Sequence, residues 1–353
     1  MPETPIGKVS SDVLNRVVLQ HLGRADPDVV VPPRHGVDAG IIRIGEGRVL
    51  AVTTDPVFLV PAYGWRRAAW FAVHILASDV AVTGLSPRWM TVDLNLPRDL
   101  DDDGLAALWR AYARTCDDLG IAVVTGHTGR YDGCAWPMVG GATCMAVGAE
   151  DAYVTPAMAE PADHVVLTKG AAIEATALLA ATFPDRVRDG VGEATWRAAD
   201  ALFEAMTVVP EARVAARVGL RDRGVTAMHD ATEGGVLGGL VELAEASGTG
   251  MRIDARAIPV RPEVRAVCDL ARIDPYGAIS EGSLIATVRP EAVRGLLDAF
   301  AEAGIPAADV GVVTPAEHGT VLVDDDGAHP LRHPGADPFW AAFGAWAASA
   351  REG

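Results

Sequence analysis

The chain has 353 residues, half of them hydrophobic, and it carries a formal net charge of −17 at pH 7. This length exceeds what one hydrophobic core usually serves, so we expect two domains. The negative charge argues against nonspecific binding to nucleic acid or anionic membranes, and no apolar run is long enough to span a bilayer. The sequence therefore predicts a globular cytoplasmic protein that binds neither nucleic acid nor membrane.

The cysteines and histidines show no spacing typical of a disulfide scaffold or a zinc site. Cys116, Cys134, Cys144 and Cys268 form no C-x-x-C pair, and no H-E-x-x-H motif occurs. Both kinds of site are therefore excluded, and we expect reduced thiols.

A short amphipathic helix is predicted from Ser11 to Leu22, and a β-hairpin follows it. Val37 to Ile44 and Arg48 to Thr54 have the composition of strands, and a short glycine-containing link separates them. The start of the first strand of a hairpin lies beside the end of the second. Asp38 begins the first strand and Asp55 ends the second, so we expect these two carboxylates to lie close together.

A long apolar helix is predicted from Trp65 to Thr83, and Gly84 ends it. Asp79 lies in its last turns on the apolar surface, where an aspartate is rarely buried without a partner. Asp79 is either a core aspartate paired with a nearby arginine or a third carboxylate beside a cation. Because Asp38 and Asp55 are also present, we favour the second interpretation.

The next elements alternate between strand and helix, in the order strand Trp89 to Leu96, helix to Leu119, strand Ile121 to Thr125, a glycine-rich loop from Gly126 to Gly133, and strand Met138 to Val147. This order predicts an α+β unit with a mixed or antiparallel sheet. No G-x-G-x-x-G or P-loop motif occurs, so a Rossmann or Walker nucleotide site is not supported.

A change in composition between about residues 149 and 163, with Pro156 and Pro161, predicts a domain boundary. We therefore expect domains at residues 1–155 and 156–353. The second part begins with a predicted strand from His164 to Thr168. Its last helix, near residues 337–350, carries aromatic residues at helical spacing, which favours core packing or an interface over a cofactor-binding role.

The stretch from Val225 to Leu240 predicts a strand, a turn at His229-Asp230 and an apolar helix. Asp230 followed three residues later by Glu233 has the form of a capping box. Capping does not explain Gly234-Gly235, since glycines in the first turns cost about 1 kcal/mol each. Glycines there let a backbone or a ligand approach, and free N–H groups at a helix start suit an anion.

Five stretches, in this order along the chain, resemble the aminoimidazole-ribonucleotide synthetase (PurM-like) superfamily, and are most similar to its HypE-like hydrogenase-maturation and AIR synthase-related members. They are Gly36-Val37-Asp38-Ala39, Thr53-Thr54-Asp55-Pro56, Ala77 to Gly84 with Pro87, Asp230 to Gly235, and Ile273-Asp274-Pro275-Tyr276 with Glu281-Gly282. The resemblance covers about residues 10–323.

The resemblance implies a two-domain α+β (mixed α/β) PurM-like fold. Its N-terminal domain would contribute strands to the barrel of a homodimer, and ATP would bind in the domain cleft with Mg²⁺. The implied metal ligands are Asp38, Asp55 and Asp79, the implied cofactor-binding residues are Asp38, Thr53, Thr54, Gly126, Thr128, Gly234 and Gly235, and the implied catalytic residues are Asp55, Asp230 and His127. Oxygen ligands of this kind suit Mg²⁺.

Three positions depart from the family pattern. His127 stands where relatives often have an acid. A histidine there either binds a metal or a phosphate, or transfers a proton, or it has no role. Glu233 stands where relatives often have an arginine, which removes a candidate phosphate contact. HypE-like proteins end in a carrier cysteine, whereas the last cysteine here is Cys268, so we expect no carriage by a C-terminal thiol.

The sequence supports an ATP-dependent enzyme that transfers the γ-phosphate to an amide, carboxylate or phosphate oxygen. The acceptor is either a small molecule or a group carried by a protein. The alternative is a nucleotide-binding maturation or scaffold protein without turnover. A metal-dependent hydrolase built on the same aspartates is a third, weaker hypothesis.

Overall fold

The computed structural model describes residues 7–352, with side chains up to residue 349. Residues 1–6 of the predicted first domain and Gly353 of the second lie outside this part. Within residues 7–352, no helix combines the length and the apolar character that a membrane span requires.

The strands of the described chain fall into two sheets. Those of the first sheet are β1 Val29–Val31, β2 Gly40–Gly45, β3 Arg48–Phe58, β4 Trp89–Leu96, β5 Ala122–Arg130 and β6 Met138–Ala149. Those of the second sheet are β7 His164–Thr168, β8 Val225–Ala231, β9 Gly250–Asp254, β10 Ser283–Val288, β11 Ala307–Thr314, β12 Thr320–Asp324 and β13 Gly327–Pro330.

The helices lie mostly between strands. They are α1 Ser11–Val13, α2 Gly64–Ala81, α3 Asp102–Leu119, α4 Ile173–Thr182, α5 Pro184–Val191, α6 Glu193–Ala201, α7 Val209–Val218, α8 Gly235–Ser247, α9 Pro262–Ala271, α10 Val293–Glu302 and α11 Pro338–Glu352. The helix predicted from Ser11 to Leu22 is shorter than expected, since a π-helical turn over Leu14–Val18 ends it and none of its residues is buried.

The first sheet has the strand order β1-β2-β3-β6-β4-β5 and is mixed, as predicted, because only β4 and β5 run parallel. The predicted hairpin is confirmed, with Gly40 opposite Val52 in the β2–β3 register. Helix α2 ends at Ala81, near the predicted end at Thr83, and carries Asp79 in its last turn.

The predicted glycine-rich loop from Gly126 to Gly133 is wrong over its first half, because β5 continues to Arg130. Parallel pairing with β4, from Val92 opposite Gly126 to Leu96 opposite Arg130, satisfies its backbone hydrogen bonds. A Cβ atom at Gly126 would lie 2.4 Å from the Val92 carbonyl oxygen. This glycine therefore allows close strand pairing.

The second sheet has the order β13-β12-β9-β11-β7-β10-β8, which puts β8 at one edge. The predicted turn at His229-Asp230 is wrong, because β8 continues to Ala231, with Leu284 of β10 opposite Asp230. The capping-box interpretation is wrong as well. Helix α8 begins at Gly235, and its N-cap is Gly234 with φ +83° and no capping side chain.

The hydrophobic core is continuous between the two sheets. One buried cluster joins Leu76 of α2 and Met90 of β4 to Met228 and Leu284 of the second sheet. The aromatic residues of α11 pack in the core, as predicted: Trp346 is buried and contacts Phe183 edge-on at 5.5 Å between ring centroids. This shared core fixes the relative position of the strand and helix ends that carry the acidic residues.

Candidate functional site

Acidic residues from separate elements converge where the two sheets meet. Asp38 precedes β2, Asp79 ends α2, and His229 and Asp230 lie in β8. One ligand atom of each of Asp38, His229 and Asp230 lies within 4.8 Å of the others. Because Asp79 is held by its packed helix and Asp230 by the pairing of β8 with β10, the spacing of these groups is set by the fold.

Asp230 is a buried carboxylate without a hydrogen-bond partner. Its side chain is 1% exposed, and neither of its oxygens accepts a hydrogen bond from the described residues. Burial, together with the nearby carboxylate of Asp38, raises the pKa of Asp230 to about 6. An unpaired buried charge is costly, so this position is suited to a group that supplies positive charge.

Glu281 repeats this arrangement, since both of its oxygens are buried and also lack a donor among the described residues. Burial and the carboxylates of Asp230, Glu174 and Asp79 raise its pKa well above the usual value. The carboxyl groups of Asp230 and Glu281 lie close enough to share a proton, but no other donor among the described residues satisfies them, which is unusual because most buried polar groups are hydrogen-bonded.

Asp79 is oriented by Thr53, whose hydroxyl donates to Asp79 Oδ2 at 2.9 Å. Burial and the carboxylates of Asp230, Asp38 and Asp55 raise the pKa of Asp79 well above its usual value. The three predicted metal ligands and Asp230 are therefore close enough to repel one another as anions.

Asp55 lies at the rim of the cluster and is only half-buried. Burial raises its pKa to about 6; Lys8 opposes this shift, whereas Glu233 adds to it.

His229 bridges two carboxylates. Its Nδ1 lies 2.7 Å from Asp38 Oδ2 and its Nε2 lies 2.9 Å from Glu242 Oε2. Burial alone would lower the pKa of His229, but Asp38 and Glu242 raise it well above its usual value. An imidazolium that donates from both nitrogens orients Asp38 and offers no lone pair to a metal. Among the three grouped residues, the available ligands are therefore Asp38 and Asp230.

Lys8 brings a second positive charge to the cluster. Its Nζ donates to Thr232 Oγ1 at 3.1 Å, and its backbone N–H donates to Glu233 Oε2 at 2.7 Å. The residue as a whole is exposed, but its ammonium group is enclosed by acids. Burial there opposes the charge, while Glu242, Asp38 and further carboxylates raise the pKa of Lys8 above its usual value.

The donor set fits a hard divalent cation. Its available groups are carboxylate oxygens, which Mg²⁺ prefers, and no hydroxyl or N–H group in residues 7–349 donates to Asp230, one of these carboxyl groups. The positive charges of Lys8 and His229 do not balance the negative charges of the four aspartates and the glutamates around them. A cation would relieve this repulsion and lower the carboxyl pKa values again.

The structure does not bring the predicted residues of β5 to this cluster within one chain. Strands β6 and β4 separate β5 from β3, which is a distance of about 14 Å at the usual strand spacing. His127 is opposite Asp93, an exposed position, and its Nε2 lies 2.6 Å from Tyr131 Oη. Gly126 and Thr128 lie on the same distant strand.

Alternation along β3 separates two of the predicted residues. Thr53 is buried and contacts Asp79, whereas the neighbouring Thr54 is exposed on the other face and donates to the Ala142 carbonyl at 2.9 Å. Only Thr53 therefore belongs to the acidic cluster in a single chain.

Gly234 and Gly235 let another part of the chain approach. A Cβ atom at Gly235 would lie 2.6 Å from the carbonyl oxygens of Tyr276 and Ala278. The N–H of Gly234 donates to Asp337 Oδ2, and that of Gly235 donates to the Thr232 carbonyl. The two N–H groups expected to be free for an anion are thus already used.

Sequence reasoning missed Lys8, His229 and Glu242. Helical periodicity puts Val236, Leu240 and Ala244 on the apolar face of α8 and predicts Glu242 off that face, yet Glu242 is 6% exposed and paired with His229. The available signal was His229 itself, a polar residue next to Asp230 in a strand whose other residues are mostly apolar. Lys8 has no such signal, because its partners lie more than two hundred positions away.

Two family models match the chain. The N-terminal domain of AIR synthase related proteins matches residues 36–150, and the C-terminal domain matches residues 160–324. The carbamoyl dehydratase HypE of Azotobacter vinelandii is 29% identical over 300 residues, which is 81% of each chain.

Solved structures agree with the family models. A crystal structure of Escherichia coli HypE matches with a TM-score of 0.70 and 25% identity, covering 89% of this chain and 94% of that one. A HypE structure in complex with ATP matches with a TM-score of 0.64 and 21% identity, covering 94% and 97%. The expected PurM-like two-domain fold is confirmed, and the chain belongs to the AIR synthase related family.

Proposed function

We propose that this protein binds Mg-ATP at the acidic cluster and transfers the γ-phosphate to an amide, carboxylate or phosphate oxygen of its acceptor. The transfer makes that oxygen a leaving group, which is the chemistry a dehydration or an ATP-dependent condensation requires. A carbamoyl dehydratase among the relatives and a HypE bound to ATP support the proposal. The acceptor is a small molecule or a group carried by a protein.

The observation that carries this proposal is the pair of buried carboxyl groups without donors, Asp230 and Glu281. Two such groups beside Asp38 and Asp79 destabilise the fold when they are ionised, and a bound cation would offset this cost. A structural role alone would favour neutral residues of similar shape.

The roles of the residues follow from their positions. Asp38, Asp79 and Asp230, with Asp55 at the rim, would hold the metal, which when bound neutralises phosphate charge. His229 fixes the rotamer of Asp38 through Nδ1. Lys8 offers the one ammonium group found beside these acids in the described chain, and it is suited to a phosphate oxygen. The roles of Gly126, His127 and Thr128 stay predictions.

Calorimetry with matched variants tests the metal assignment. Asp55→Asn and Asp38→Asn keep the side-chain shape but remove a charge, so we expect both to lose measurable Mg-ATP binding. Asp103→Asn, in the exposed first turn of α3, should bind like the wild type. Wild-type affinity in both Asp38→Asn and Asp55→Asn would refute the site.

A second candidate is a nucleotide-binding maturation or scaffold protein without turnover. Glu233 favours it, because this carboxylate adds negative charge beside Asp55, where a transferred phosphate would lie. Steady formation of ADP with candidate acceptors supports the enzyme. Tight Mg-ATP binding with no ADP, in wild type and Glu233→Gln alike, supports the scaffold.

We also propose that the protein is a homodimer through the first sheet. One face of this sheet carries the exposed Thr54 and His127, and its edge strand β5 carries Val124, which is 54% exposed. Sheet edges and apolar surface of this kind need a cover.

A further inference from the structure

We propose that a second, separate cleft binds a small molecule carrying phosphate groups. The cleft has a volume of about 770 Å³ and lies between the α2–β4 connection, the end of α3, and α7 with the turn that follows it. This volume lies within the range of small-molecule sites, about 300–1,000 Å³. Neither the family resemblance nor the proposed Mg-ATP site accounts for it.

The cleft is positively charged in a protein that is strongly acidic. Arg88, Arg213, Arg217 and Arg223 line it, and among the described residues no aspartate or glutamate does. The chain has 47 acidic and 30 basic side chains, so four arginines without an acid are an unusual local excess. Such a region concentrates anions against the field of the whole molecule.

These arginines are not neutralised by the fold. Within residues 7–349, none of the four forms a salt bridge, although arginines elsewhere are paired, such as Arg67 with Asp200 at 2.7 Å. Arg217 and Arg223 are exposed and free to turn toward a ligand. Guanidinium groups bind phosphate oxygens in pairs of parallel hydrogen bonds, which makes phosphate the favoured anion.

Two of the arginines are already oriented. Arg213 is half-buried and donates from Nη2 to the Leu119 carbonyl at 3.1 Å. The guanidinium of Arg88 stacks on the Trp89 ring, 4.6 Å from its centroid. Each keeps further N–H groups for a ligand, because a guanidinium has five donors. The cleft is therefore partly preorganised for an anion.

The chemistry of the cleft differs from that of the acidic cluster. Carboxylates bind phosphate only through a metal, whereas arginines bind it directly. Binding in the cleft should therefore need no Mg²⁺ and should persist in Asp55→Asn, which the proposed function expects to lose Mg-ATP. The two proposals can fail independently.

Calorimetry with inorganic pyrophosphate in EDTA tests this inference on the full chain. We expect saturable binding with one site per chain, weaker at high salt. Arg217→Ser/Arg223→Ser should weaken it by at least about tenfold, since it removes charge-assisted hydrogen bonds. The control Arg24→Ser/Arg110→Ser changes the net charge equally at exposed positions outside the cleft and should bind like the wild type.

Three results would overturn the inference. They are no saturable binding at millimolar pyrophosphate, an equal loss in both double variants, and a loss in Asp55→Asn as large as that in the cleft variant. The second result would mean a general charge effect, and the third would locate the anion at the acidic cluster. Arg88→Ser gives an independent reading if the double variant unfolds.

Discussion

Among single residues, Asp230 gives the strongest indication of a cation site. Its carboxylate is buried beside Asp38 without a donor, so its ionised form opposes folding. A residue that lowers stability where it lies needs another reason to be there, and cation binding supplies one.

Asp230→Asn should stabilise the metal-free protein. The pKa of Asp230 is raised to about 6 in the folded chain, above its value of 3.8. Between these pH values the unfolded state therefore binds fewer protons than the folded state, so the free energy of unfolding falls as the pH rises through them. The destabilisation by the ionised Asp230 is complete above about pH 7. Removing the charge should raise the free energy of unfolding by about 1–2 kcal/mol, less than the full shift because the amide is also unpaired.

Urea unfolding in EDTA at about pH 8 measures this effect. Asp103→Asn, an exposed control, should leave the free energy of unfolding unchanged. The same Asp230→Asn protein should gain no stability from Mg-ATP. A less stable metal-free variant would contradict the prediction.

Mg-ATP binding should weaken as the pH falls through about 6. The carboxyl groups of Asp55 and Asp230 have pKa values raised to about 6, and each must be ionised to bind a cation. The affinity should therefore rise between about pH 5 and pH 7. Calorimetry across this range, with the proton release measured in two buffers, checks it. Affinity independent of pH would mean that these carboxyl groups do not bind the metal.

The sequence predicted the site in part. Hairpin geometry predicts that Asp38 and Asp55 lie close together, and an acid on an apolar helix indicates Asp79; both Asp38 and Asp55 lie near enough to Asp79 to raise its pKa. Glu242 was missed because helical periodicity cannot reveal that His229 lies on a neighbouring strand and pairs with it. The anion-binding role of the Gly234 N–H could not be judged from the sequence either, because Asp337, far along the chain, accepts its hydrogen bond.

At the element scale, apolar periodicity predicted the helices and strands that pack on one face. Strand Trp89–Leu96 was predicted to the residue, and the long helices α2 and α3 were also recognised. The ends of β5 and β8 were not, because pairing with β4 and β10 overrides the glycine and Asp signals that favour turns. Long-range strand pairing is not visible in a local window.

Helix α2 makes a further prediction through His74. The ring stacks on Trp70 at 4.0 Å between centroids, and Nδ1 lies 2.8 Å from Thr207 Oγ1. Burial, with Arg213 and Lys169 nearby, lowers its pKa to about 3. As the pH falls, the unfolded state takes up a proton on His74 before the folded state does. The stability that the neutral ring contributes is therefore complete above about pH 6.5. It is lost as the pH falls toward 3, by up to about 1.4 kcal/mol per pH unit.

His74→Gln should flatten the loss of stability between about pH 6 and pH 4, because the amide keeps a partner for Thr207 but does not titrate. His318→Gln, at an exposed position, should keep the wild-type slope. Urea unfolding at several pH values measures the slopes. Equal slopes in His74→Gln and wild type would show that His74 does not cause the acid sensitivity.

At the scale of the whole molecule, charge is divided between two regions. The acidic cluster lies where the two sheets meet, and the arginine cleft lies beyond the end of α2. Both are built on elements of the shared core, while the outer face of the first sheet is left uncovered in one chain. The uncovered face leads to the prediction about assembly.

Light scattering at micromolar concentration should give twice the chain mass of 36.9 kDa. Val124→Asp should shift the protein toward monomer, because a carboxylate on the edge strand would be buried without a partner in the dimer. Leu22→Asp is the matched control, since Leu22 is 48% exposed but lies outside the first sheet. The control should stay dimeric. A wild-type monomer, or equal dissociation of both variants, would contradict assembly through this sheet. Mg-ATP binding should also be measured on the monomer and on the dimer, because β5 carries the predicted residues Gly126, His127 and Thr128.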